Sequence, residues 1–156
     1  GVAVVYVTGS GADTLTFTEN FVSNSDARVV IVSQVPVVID NTNSALDVSS
    51  PSLSTTPLIQ AAIISNADVT FTGTSDSFSN PDETVVVEGP IITGNATSVQ
   101  TNINFGRDRG VDNGYPAQIV KYNPVYLIEL SNQIRNNALP NYNGLSISNV
   151  TWEVID

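Results

Sequence analysis

Along most of this chain the apolar residues alternate, hydrophobic against polar at a period of two in short segments, and that spacing constrains the fold more than any other feature. From Asp13 to Phe21, Leu15, Phe17 and Phe21 oppose Thr14, Thr16 and Thr18; further on, Val69 and Phe71 alternate with Thr70 and Thr72. Val99, Ile103 and Phe105 share one face, as do Val150, Trp152 and Val154 in the closing stretch from Gly144 to Ile155. Side chains two apart lie on the same side of a strand, whereas a helix would need spacings of three and four. Between the segments lie stretches of Ser, Thr, Asn, Gly and Pro, at 41–57, 73–82 and 106–116, with the signature of surface loops. Proline cannot donate to a ladder, so Pro36 kinks the stretch 28–40 or puts it on an edge. Gly89-Pro90 breaks 84–93 by a bulge or a change of sheet. Residues 118–130 give strand material on either side of Pro124. One helix is expected, 131–139, capped by Ser131 with Ile134 and Leu139 toward the core. The sum is about eight strands with no internal repeat, which predicts an all-β fold, a single immunoglobulin-like or Greek-key β-sandwich.

The first eight residues break the alternation. Val2, Val4 and Tyr6 point one way and Ala3, Val5 and Val7 the other, so the strand must be covered on both sides. Gly9-Ser-Gly-Ala12 then detaches it from the rest of the chain. The chain divides on this reading into 1–12, an N-terminal strand with its linker, and 13–156, the sandwich domain. The strand has two homes: its own sheet, or the open sheet edge of a neighbouring copy, where main-chain hydrogen bonds would hold it.

The chemistry that the residue types permit is narrow. The chain has no Cys, His or Met, which removes disulfides, thiol nucleophiles, Ser-His-Asp triads and His or Cys metal sites. The lone Lys121 is a solvent-facing strand residue or, less simply, a partner for a Lys-Asn isopeptide bond. Asp82 and Glu83 sit in a polar turn without the sugar-stacking aromatics of a glycosidase site. We expect no enzyme and no cofactor. The loops from Asp40 to Asp47 and from Asp108 to Asn113 collect oxygen ligands, but neither has calcium-loop spacing, and turn residues bonding their own backbone account for both.

Five basic residues stand against fifteen acids, for a net charge of −10, and only Arg107 and Arg109 are close together; phosphate neutralisation needs more, so nucleic acid is not an expected partner. No apolar run approaches the roughly 20 residues of a bilayer span. The Gly1 start without Met leads us to expect a processed chain, and Ser, Thr and Asn in place of charges fit an extracellular, cell-surface location. Two sequons, Asn95-Ala-Thr97 at a turn and Asn149-Val-Thr151 in the last strand, are candidate N-glycan sites.

Together, the apolar N-terminal strand, the Gly/Ser linker and a Cys-free, sequon-bearing all-β domain resemble a donor-strand pilin. The layout is similar to archaeal thread-type surface filaments and, in architecture, to bacterial chaperone–usher pilins, though it lacks the disulfide many of the latter carry. The resemblance implies a homopolymer in which the N-terminal strand of one subunit fills a groove in the next. Its contacts would come from Val2, Ala3, Val4, Val5, Tyr6, Val7 and Gly9, with Ala3, Val5, Val7 and Gly9 on one face. Adhesion or biofilm formation is the expected role. Two alternatives share the composition: an all-β virion protein (capsid decoration or tail component), and a carbohydrate-binding surface module, which would need exposed aromatics.

Overall fold

The computed structural model of the chain describes residues 1–23, 27–40, 46, 48, 55–73, 82–94, 100–107, 109 and 115–136. Eleven short strands and one helix follow in order: β1 (Val2–Val7), β2 (Leu15–Phe17), β3 (Arg28–Ser33), β4 (Val37–Ile39), β5 (Ile59–Gln60), β6 (Ala62–Ser65), β7 (Val69–Phe71), β8 (Val85–Glu88), β9 (Ile91–Thr93), β10 (Ile103–Phe105), β11 (Gln118–Lys121) and α1 (Val125–Arg135).

The strands form three sheets, ordered β1-β3-β6-β9, β10-β7-β4-β2 and β11-β8-β5. Phe21 extends the third by a single parallel bridge to Ile59. The chain therefore visits the first, second and third sheets in turn and begins again, and each circuit lays one rung on the last. Four circuits make a three-sided parallel β-solenoid. Val5, Ile31, Ile63 and Ile91 mark one column, so successive rungs take 26, 32 and 28 residues.

The corners explain the breaks in the sequence pattern. Pro36 lies in the turn between β3 and β4, where a missing N–H costs no ladder bond. Ser33 Oγ donates to the Val35 carbonyl (2.7 Å) and accepts from the Val35 amide (3.2 Å), closing that corner inside the core. Gly89-Pro90 is a change of sheet, from β8 to β9. Gly89 takes φ +133°, and a side chain there would run into the Ala61 carbonyl of the corner below.

Inside, the rungs stack like on like. Leu15, Val37, Val69 and Ile103 form one column; Phe17, Ile39, Phe71 and Phe105 another; Phe21, Ile59, Val87 and Val120 a third. The middle members from all three sheets merge into one buried cluster that includes Ile31, Ile63, Val37, Phe71, Ile59 and Val87. Burying each such side chain is worth about 1.5–3 kcal/mol. Helix α1 covers the outer face of the first sheet, where Tyr126 and Leu130 pack on Val30 and Ala62, flanked by Val2, Val4 and Ile134. The two-sided apolarity of β1 is thus answered by core on one side and helix on the other.

The fold is mostly β with one short helix, as the alternation requires. Among the described residues all eight strand ladders are parallel, however, and only a single bridge between Val48 and Thr84 is antiparallel; these are not the hairpin pairings of an immunoglobulin-like or Greek-key sandwich. The stretches 28–40 and 84–93 each split at a corner into two strands of different sheets, as does 58–65. The helix begins at Val125 rather than Ser131, because Pro124 starts it instead of interrupting a strand. Asn123 Oδ1 accepts from the Val125 amide (3.1 Å) and supplies the cap that Ser131, now mid-helix, does not. Leu139 and the stretch from Gly144 to Ile155 lie outside the described residues.

Candidate functional site at the ends of the solenoid

A closed rung satisfies its backbone with the rungs above and below, so only the first and last rungs offer main-chain groups to anything else. At the first, the Gly1 and Val7 carbonyls accept from the Arg28 and Gln34 amides, both at 2.9 Å. In a parallel ladder alternate residues bond alternate neighbours, so Val2, Val4 and Tyr6 turn their backbone groups to the outer edge. The Val2 carbonyl there accepts from Gln133 Nε2 of the helix (3.2 Å), while the amide and carbonyl of Val4 have no partner among the described residues. Val5, on the core side of the strand, is 43% exposed, with no rung beneath it among the described residues.

Gly9 to Ala12 form the corner between β1 and β2. Asp13 closes it, accepting at Oδ2 from the Ser10 amide (2.7 Å) and hydroxyl (3.0 Å). Those bonds hold the Asp13 carboxyl below its ordinary range, the backbone contribution being the larger. A Cβ on Gly9 would meet Asp13 Oδ2 at 2.8 Å, so glycine is what lets the corner close. The expected strand residues Val2 to Val7 are together on one edge strand, paired in register with Arg28 to Ser33, and Gly9 lies past its end.

The last rung is the more exposed. The Pro90, Asn102 and Ala117 carbonyls accept from the Ile63, Val69 and Val85 amides of the rung below, at 2.9, 3.0 and 3.1 Å. By the same alternation Ile91, Thr93, Ile103, Phe105 and Val120 direct their backbone groups outward. The column ends Ile91, Ile103, Phe105 and Val120, with Ile92 and Tyr122 at the rim, line an almost wholly apolar groove. Phe105 is 59% exposed and its ring stacks on Phe71, centroids 5.3 Å apart. Among the described residues the groove is the open cross-section of the core.

Nor do these edges carry the charges that usually keep sheet edges apart: β1, β2, β9 and β10 contain no Lys, Arg, Asp or Glu. On β11 the Lys121 ammonium donates to the Thr55 carbonyl, beside Glu88, which accepts from Gln60 Nε2 (3.3 Å) and Asn123 Nδ2 (2.8 Å). Lys121, Tyr122, Glu88 and Asn123 line a second, polar groove with Thr55 to Pro57.

The only close basic pair is spent on structure. Arg107 Nη1 donates to the Glu83 carbonyl (2.9 Å), and Arg109 Nη1 donates to Thr84 Oγ1 (3.0 Å) with Glu83 Oε2 at 3.6 Å. Both side chains are buried, tying Arg107 and Arg109 to Glu83 and Thr84, just before β8. Asn95, Asn149, Asp47, Asp108 and Asn113 lie outside the described residues. Among the described residues no three acidic side chains gather as a metal site, and no helix is long and apolar enough to cross a membrane.

Sequence reasoning finds β1 but not its counterpart at the other end, because Ile103, Phe105 and Val120 read simply as core. The available signal is the lack of charge in β9 and β10. No family model, curated protein or solved structure matches this chain.

Proposed function

We propose that the chain is a structural subunit of an extracellular surface filament, a pilin-like homopolymer whose copies join head to tail through the N-terminal strand. The observation that carries this reading is the pairing of two unguarded surfaces on one molecule: the β1 edge at one end and the apolar groove at the other. The two surfaces differ, so contact between them is heterologous, and such a contact propagates into an open fibre instead of closing a dimer. The uncharged polar composition and the sequons at Asn95 and Asn149 support a glycosylated, cell-surface setting, with adhesion or biofilm formation as the role.

Val5→Asp tests it. Val5 is half-exposed in the single chain, so the variant keeps its fold, but joining would bury an unpaired carboxylate. We expect filaments of the parent chain in electron micrographs and none of the variant, with unchanged circular dichroism. A parent chain that stays monomeric at high concentration overturns the proposal. The exposed Tyr122 ring at the rim of the polar groove favours, as a second reading, a carbohydrate-binding module. Glycan binding lost in Tyr122→Ala, by a monomeric parent chain, would favour that instead.

A further inference from the structure

Resting on the filament reading above, we propose that the occupant of the apolar groove is the first rung of a second copy, laid on the last rung by simple stacking, so that β1 remains in its own sheet. The solenoid would continue from one molecule into the next, as if the following copy supplied a fifth rung.

Three features of the two ends converge on this occupant. The first is the match of the columns. Each column that ends at half-buried Ile91 or Ile103, or at exposed Phe105 or Val120, begins, on the first rung of the same chain, with Val5, Leu15, Phe17 or Phe21. Laid on in register, Val5 of the incoming copy covers Ile91, Leu15 covers Ile103 and Phe17 stacks on Phe105. That repeats the apolar pairings already made between rungs within the chain. The second is the backbone. Ile91, Thr93, Ile103 and Phe105 offer outward amides and carbonyls along two sheets, and Val4 offers the complementary set on the incoming edge in the same parallel sense. The third is the lack of guards. Four edge strands without a charge would be an aggregation hazard on a protein meant to remain single, and an interface on one meant to be stacked. Gln133 of the helix meets β1 at the Val2 carbonyl, at the far end of the strand from the corner, so the helix and an incoming rung engage different parts of that edge.

Stacking differs measurably from strand insertion. Insertion pulls β1 out of its sheet and spaces the subunits by a linker. Stacking keeps every rung and adds four per subunit; at about 4.8 Å per rung the axial repeat is about 19 Å. The absence of native cysteine allows a direct test. Thr16 and Asn104 are exposed and lie in one outward-facing column, through Val38 and Thr70. Within a chain they are three rungs apart, about 14 Å, too far for a disulfide. In the stack, Thr16 of one copy lies one rung from Asn104 of the next, within disulfide reach.

Filaments of the Thr16→Cys/Asn104→Cys double variant, oxidised and run under denaturing conditions, should give a ladder of covalent multimers, and neither single variant should go beyond a dimer. Aligned fibres of the unaltered chain should diffract on the meridian near 4.8 Å, with an axial repeat of about 19 Å. Filaments that form normally but give no ladder, with a repeat far from that length, would overturn stacking and leave the filament reading standing. A chain that never assembles overturns both. An uncut 1–156 monomer that assembles and crosslinks only when cut after Asn136 would overturn the second copy as the natural occupant, because residues 137–156 would then be what keeps the end covered.

Discussion

At the scale of single residues, two positions decide whether a rung can close. Gly89 turns the chain from the third sheet to the first at a φ of +133°, against the Ala61 carbonyl. Gly89→Ala would put a Cβ into that carbonyl and force a backbone that L side chains rarely adopt. We expect a loss of about 2 kcal/mol or more, read from urea melts, with spectra unchanged at low denaturant. Asp13 works at the β1 to β2 corner through charge. Its carboxyl is held low by the Ser10 amide and then by the Ser10 hydroxyl. A depressed carboxylate contributes fully above its unfolded-state value near 3.8 and loses that contribution as pH falls through its lower folded value. The corner should therefore loosen on acidification below about pH 4. Faster exchange of the Ser10 amide in that range, absent from the pH profile of Asp13→Asn, is the expected outcome.

At the scale of elements, α1 and β1 secure one another. Tyr126 and Leu130 seal the outer face of the first sheet, and Leu130 is 2% exposed. Leu130→Ala should cost about 2–4 kcal/mol, measured by thermal or urea unfolding, because the cavity lies between a helix and a sheet that cannot collapse freely. The places where strands occur are legible in the sequence, since alternation reports which side chains share a face and Gly, Pro and Asn report where a run stops. Strand partners are not legible. Val30 and Ile63 look the same whether the next strand runs parallel or antiparallel, and rungs of 26, 32 and 28 residues hide the repeat that would reveal a solenoid. The helix lies earlier than its sequence pattern suggests for a local reason: Pro124 reads as a break inside a strand, yet it opens the first turn of a helix capped from Asn123. Of the candidate site, Val2 to Val7 are legible as a strand with apolar side chains on both faces. The exposed ends Phe105 and Val120 are not legible, because exposure comes from being last in a stack, and periodicity carries no information about order.

At the scale of the whole molecule, the course of α1 matters beyond the surface it covers. It starts after β11, on the last rung, and its Gln133 reaches Val2 on the first. At 1.5 Å per residue its eleven residues cover about 16 Å, close to the three rung spacings between those ends. A bare stack of rungs behaves as a one-dimensional array: each layer is tied only to its neighbours, and layers peel away one at a time from either end. A brace bonded to both ends removes that freedom, since the first rung cannot lift without disturbing the helix that comes after the fourth. The molecule then melts as one cooperative unit, with protection against hydrogen exchange that varies little from end to end. In a fibre under tension, each subunit would hold or fail whole, so that load spreads along the thread instead of unzipping it from a frayed layer.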